Sequence, residues 1–160
     1  MSKNKKQKKE KSKKLEKAEK VTDRENADLP QDNLIEQIKS SAAGLYYISE
    51  TDAEISPFIG KQTESVSGEV ILSQTKSAAG LPVEEIEFTK FFARLTEIQD
   101  WFGVEEKNTA EKYLLLKKIL EKNLRDLKVF KIGKIQLDIY VVGLDAENRL
   151  LGIKTKAVET

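Results

Sequence analysis

The chain has 160 residues, room for one domain, and its near-neutral net charge of +1 hides an uneven distribution. Residues 1–24 hold ten Lys and one Arg against three Glu and one Asp, a net +7, which leaves −6 on the remaining 136 residues. With no Cys and no His, disulfides, thiol chemistry, Cys-based metal sites and any Ser/His/Asp hydrolase arrangement are excluded, and the commonest general base at neutral pH is missing.

Residues 1–24 are a low-complexity lysine run broken only by Leu15, Ala18 and Val21. Too little apolar surface is present to offset chain entropy, so a disordered tail is expected, with residues 25–31 as a linker. The N-terminus has charge without the apolar core of a secretory signal, and no stretch approaches the ~18 apolar residues of a membrane span. A cytoplasmic location is expected.

The folded part is expected from Asp32 or Asn33, either of which can cap a helix, with Glu36 at capping-box spacing from Asn33. Ile35, Ile38, Ala42 and Leu45 form one apolar stripe, and Gly44 suits the residue just past the helix end. Leu45–Ile48 reads as a short strand, followed by a turn or helix cap at Ser49-Glu-Thr-Asp52. Residues 51–65, with Pro57 and Gly60 as breakers, read as loop. Glu69–Ser73 reads as a strand and residues 77–82 as a loop. Val83 and Ile86 suit an extended piece. Phe88, Phe91, Phe92 and Leu95 recur at helical spacing. A longer helix is expected from about Asn108 to Arg125, its buried stripe formed by Tyr113, Leu116, Ile119, Leu120 and Leu124.

The last third is strand-rich: Leu127–Ile132, a Gly133–Lys134 turn, Ile135–Val142, a turn over 143–148, and Leu150–Val158. Ile135, Leu137, Ile139 and Val141 point one way; Gln136, Asp138, Tyr140 and Val142 point the other. Helices followed by sequential hairpins indicate an α+β fold, and apolar residues on both sheet faces favour helices on both sides.

Several features invite a chemical reading. Asp145-Ala-Glu-Asn148 lacks calcium-loop spacing and reads as a hairpin turn. Glu84, Glu85 and Glu87 read as a solvated edge rather than paired catalytic carboxylates. The lysine tail either contacts nucleic-acid phosphates through residues 3–24 or simply solubilises the chain, and without interleaved aromatics it offers no base stacking. Trp101 is either core, beside Phe102, or an exposed anchor on a connector between helices. Glu50 reads as a turn acid or cap, and Thr160 as a frayed end.

Four segments change the weight given to these residues: Gly44-Leu-Tyr-Tyr-Ile-Ser-Glu50, Gln99-Asp-Trp101, Leu137-Asp-Ile-Tyr-Val-Val-Gly143 and the closing Gly152-Ile-Lys-Thr-Lys-Ala-Val-Glu-Thr160. Together they resemble the nuclease A inhibitor (NuiA-like) family over about residues 33–160, through to the final residue; the lysine tail is not part of the family pattern. The resemblance implies a single α/β/α sandwich domain over 32–160, similar to the PR-1 fold. It also implies inhibition, without turnover, of a magnesium-dependent nuclease that cuts both DNA and RNA. Carried over residue by residue, it implies that Thr160 reaches the partner's catalytic magnesium and that Glu50 enters its active site like a phosphate. Asp100 and Trp101 would then make a second contact. No cofactor of the chain's own is implied. A body charge of −6 suits a cleft that attracts polyanions.

Overall fold

The structure, a computed structural model, describes residues 30–77 and 80–160. The lysine-rich tail falls outside the described residues. The chain divides into two units at Glu36, inside helix α1 (Pro30–Ala42). Of the first unit, only the opening turns of α1 are described. That helix starts earlier than the Asp32/Asn33 signal suggested, because proline's fixed φ is already suited to a first helical turn. It stops where expected, at Gly44, whose φ of +80° reverses the chain into the first strand.

The second unit holds a two-stranded hairpin, β1 (Tyr46–Ile48) with β2 (Asp52–Glu54), and a five-stranded antiparallel sheet. The sheet runs in the order β3 (Ser56–Gln62), β7 (Arg149–Val158), β6 (Gln136–Leu144), β5 (Arg125–Gly133) and β4 (Val83–Glu87). Between its strands come α2 (Gly68–Thr75), α3 (Phe88–Thr96) and α4 (Val104–Asn123). The α+β class and the C-terminal antiparallel strands are as expected. Among the described residues, no helix is long and apolar enough to cross a membrane.

Two expectations are overturned. The segment read as loop over 51–65 is mostly strand, carrying β2 and β3. Pro57 is tolerated because β3 is an edge strand bonded only to β7, where a missing N–H removes no ladder bond on the open side. The segment read as a strand over Glu69–Ser73 is the helix α2. Ser67 caps it by accepting the Val70 N–H at 3.2 Å, and Lys76 closes it in the left-handed conformation at φ +55°. An apolar run of three, Val70 to Leu72, carries no period of its own, and here packing decides: Ile71 is fully buried among Phe58, Phe130, Tyr140 and Leu150. The long helix begins four residues before Asn108, at Val104, because Glu106 reaches back to accept the Gly103 N–H at 3.0 Å.

Both sheet faces are covered, as the pattern of apolar residues required. Tyr140, Val142 and Leu144 of β6 face the α2 side, while the alternate residues Ile139 and Val141 are equally buried on the other. On β5, Phe130 and Ile132 belong to the α2 side. Lys131, of opposite parity, borders a cavity with Phe91 and Arg94 of α3. Ile135, expected in one row with Leu137, Ile139 and Val141, lies exposed in the turn before β6. Gly152 of β7 sits where the Val141 carbonyl of β6 comes so close that any side chain would overlap it.

Candidate functional site

Glu50 sits at the tip of the β1–β2 hairpin, and that hairpin is fastened from three sides. Tyr113 of α4 donates its hydroxyl to the Tyr46 carbonyl at 2.6 Å. The Tyr47 ring stacks on Phe91 of α3, centroids 5.7 Å apart and nearly parallel. Thr155, a buried polar residue of β7, donates to the Glu54 carbonyl at 2.9 Å. Tyr113 therefore has two tasks, as part of the apolar stripe of α4 and as a hydrogen-bond post. Burial, followed by the nearby Tyr47, raises its phenol well above the usual tyrosine range.

The tip is also joined to the end of β7. The Val158 N–H donates to Ser49 Oγ at 3.0 Å, and the Glu50 N–H donates to the Val158 carbonyl at 3.2 Å. Two residues further on, Thr160 meets Glu50 itself. Its backbone N–H and its hydroxyl both donate to Glu50 Oε2, at 2.9 and 2.5 Å. Both residues are exposed. The hydroxyl bond first, and the backbone N–H second, hold the Glu50 carboxyl below the usual glutamate range. An ionised carboxylate and a hydroxyl oxygen thus lie side by side at a projecting edge. The hydroxyl's proton is committed to Glu50, which leaves its lone pairs free.

Trp101 is 73 % exposed, its ring edge-on to Phe102 with centroids 4.7 Å apart. It lies in the turn from Gln99 to Phe102 that connects α3 to α4, where the Phe102 N–H returns to the Gln99 carbonyl. The reading of Trp101 as core does not hold. A cavity of about 510 Å³ runs between this connector and the hairpin, lined by Ile48 and Asp52 on one side and Trp101, Glu97 and Glu105 on the other. Since Ile48 and Asp52 flank the tip, Trp101 and the strands that carry Glu50 border one groove. Asp100 is exposed on the same turn and does not line the groove. The structure therefore brings Glu50 and Thr160 into contact, places Trp101 across a groove from their hairpin, and leaves Asp100 beside Trp101.

The other candidates resolve into structural parts. Asp145 Oδ1 accepts the N–H groups of Glu147 and Arg149, both at 2.8 Å, which makes 145–148 a side-chain-closed hairpin turn. Glu84, Glu85 and Glu87 are exposed along β4, an edge strand of the sheet. Among the described residues, no group of three or more Asp and Glu is placed to hold a metal ion. Sequence reasoning missed Ser49, Thr155 and the second role of Tyr113. Their partners lie 109, 101 and 67 residues away in the chain, and no local pattern announces them.

The family model for nuclease A inhibitor-like proteins matches residues 32–160, from within α1 through β7 to Thr160. The chain matches no curated protein. A match over that span, which takes in the hairpin, the α3–α4 connector and the end of β7, shows that the chain belongs to the nuclease A inhibitor-like family.

Proposed function

We propose that this protein blocks a magnesium-dependent nuclease acting on both DNA and RNA, by presenting Thr160 and Glu50 to its active site. The observation that carries the reading is the pair itself: a carboxylate held ionised by a neighbouring hydroxyl, on an exposed edge braced by two helices and the sheet. Membership of an inhibitor-like family supports a role in binding rather than turnover. In this reading residues 32–160 form an α/β/α sandwich of PR-1 type, a cytoplasmic binding domain with no cofactor of its own, and residues 1–31 are an appendage.

Magnesium is a hard cation that takes oxygen ligands, so the donor set fits what the partner would offer. Glu50 supplies negative charge where a scissile phosphate would otherwise lie, among groups preorganised to hold one. Thr160 supplies a hydroxyl oxygen whose proton is already directed away, toward Glu50. Because the pair is fixed before contact, little conformational freedom is lost on binding. Trp101 and Asp100 add a second contact from the connector, where a large exposed aromatic suits an anchoring role. The acidic body draws the complex together at a salt-dependent rate.

The test is a nuclease assay in magnesium with the full chain, a version lacking Thr160, and a version lacking residues 1–31. Loss of Thr160 is expected to weaken inhibition by on the order of 30-fold or more, as when one member of a charge-assisted contact is removed. Removal of residues 1–31 is expected to leave potency unchanged. Undiminished potency without Thr160 would sink the proposal. Inhibition that vanishes with the tail would point to shielding of the nucleic acid by lysines 3–24 instead.

A further inference from the structure

A strand end that projects into solvent frays unless something ties it down, and the end of β7 is tied at two places that do not include Glu50. At the first, Ser49 Oγ accepts the Val158 N–H at 3.0 Å and donates its own proton to the Thr51 carbonyl at 2.9 Å. With its proton and an acceptor site both engaged, the hydroxyl cannot rotate away. At the second, Glu159 is held by backbone and side chain together. Its N–H donates to the Ile135 carbonyl at 2.9 Å, and its carboxylate accepts Lys131 Nζ at 3.1 Å. The Lys131 side chain is 16 % exposed and that of Glu159 44 %, so the ammonium is held in place by its surroundings while the carboxylate still meets water. The Glu159 N–H is directed at Ile135 and the next N–H, that of Thr160, at Glu50, so holding Glu159 against β5 sets the approach of Thr160.

We infer that Ser49 and Lys131 are positioning residues for the Glu50–Thr160 pair, Ser49 fixing the hairpin tip against β7 and Lys131 fixing the approach of the last two residues through Glu159. The inference deepens the proposed blocking role and rests on it for its functional meaning. A blocking pair must be held within about 0.5 Å to match a preformed centre, and only groups around the pair can supply that precision. Neither residue touches the partner in this account; each acts through the residue it holds.

The experiment uses the full chain and two readouts. The first is nuclear magnetic resonance of the Glu50 carboxylate through a pH titration, together with the Thr160 amide shift at neutral pH. The second is inhibition of a magnesium-dependent nuclease. Ser49→Ala changes no charge, so a rise of the Glu50 midpoint toward the ordinary glutamate value reports a lost position alone, and Ser49→Thr is expected to restore it. Lys131→Met removes a cation, so its diagnostic is the Thr160 amide shift, with recovery in Lys131→Arg. Each alanine or methionine variant is expected to lose about tenfold in inhibition while the dispersed resonances of the sheet persist. An unchanged Glu50 midpoint in Ser49→Ala, with an unchanged Thr160 amide in Lys131→Met, overturns the inference. Should those spectra move while inhibition stays constant, the positioning stands and the blocking role falls. Should inhibition fall with the spectra unmoved, the positioning falls and the blocking role stands.

Discussion

Replacing Trp101 by Ala separates an anchor from a core residue, because the two roles predict opposite balances of stability and affinity. With 73 % of the residue in solvent, only about a quarter of it is covered. A tryptophan buries at most about 250 Å². A quarter of that, at ~25 cal/mol/Å², gives roughly 1.5 kcal/mol, an upper bound that already contains most of the edge-on contact with Phe102. For a domain of this size that is a fall in Tm of about 5 °C with cooperative melting retained. An exposed aromatic that becomes fully covered in a complex contributes more, about 2 kcal/mol or above, or roughly a 30-fold loss of affinity. Thermal melting of the free protein and a titration of nuclease activity measure the two numbers side by side. A variant that melts without cooperativity, or loses more than about 3 kcal/mol, would show that Trp101 holds the connector together. An inhibition constant within about threefold of the parent would remove the groove from the contact surface.

Two further outcomes follow from the same geometry. The Glu50 carboxyl is depressed in the folded chain, so the contribution of its bonds to Thr160 is fully present above the ordinary glutamate value of about 4.3 and is lost as pH falls through the lower folded value. Inhibition is therefore expected to hold flat through neutral pH and to decline only in acid; a decline between pH 6 and 8 would implicate another group. Tyr113→Phe leaves the Tyr46 carbonyl without its 2.6 Å donor in a half-buried site, at a cost of about 1–2 kcal/mol, or about 3–6 °C in Tm by calorimetry. An unchanged Tm would show that water replaces the hydroxyl without loss.

Patterns confined to a dozen residues were legible in the sequence. The stripe of Phe88, Phe91 and Phe92 forms α3, the alternation from Leu137 to Val141 forms β6, and Gly44 ends α1 as its missing side chain allows. What failed was set by neighbours distant in the chain. The β-branched Val70 and Ile71, followed by Leu72, have the look of a strand, yet the place open to them beside the sheet is a helical one, and Ser67 supplies the cap. Pro57 argues against a strand only if that strand has partners on both sides, a fact of topology invisible in residues 51–65. The site divides in the same way. Glu50, Asp100, Trp101 and Thr160 were named through whole-segment resemblance, whereas composition and spacing alone marked Glu50 and Thr160 as ordinary surface residues. The contact between them, and the posts supplied by Ser49, Thr155 and Lys131, depend on strands that meet only in the finished sheet.

Glu50 and Thr160 touch across 110 residues of chain, and the meeting requires the last hairpin to have docked on strands laid down before it. Contacts of such long separation form late in folding, after the entropy of closing the intervening loop has been overcome. A nascent or damaged copy lacking its final strand would consequently display a lone carboxylate on a loosened tip. In the blocking mechanism proposed here, potency per milligram then doubles as a gauge of conformational integrity, since only copies that have completed the sheet can compete with substrate.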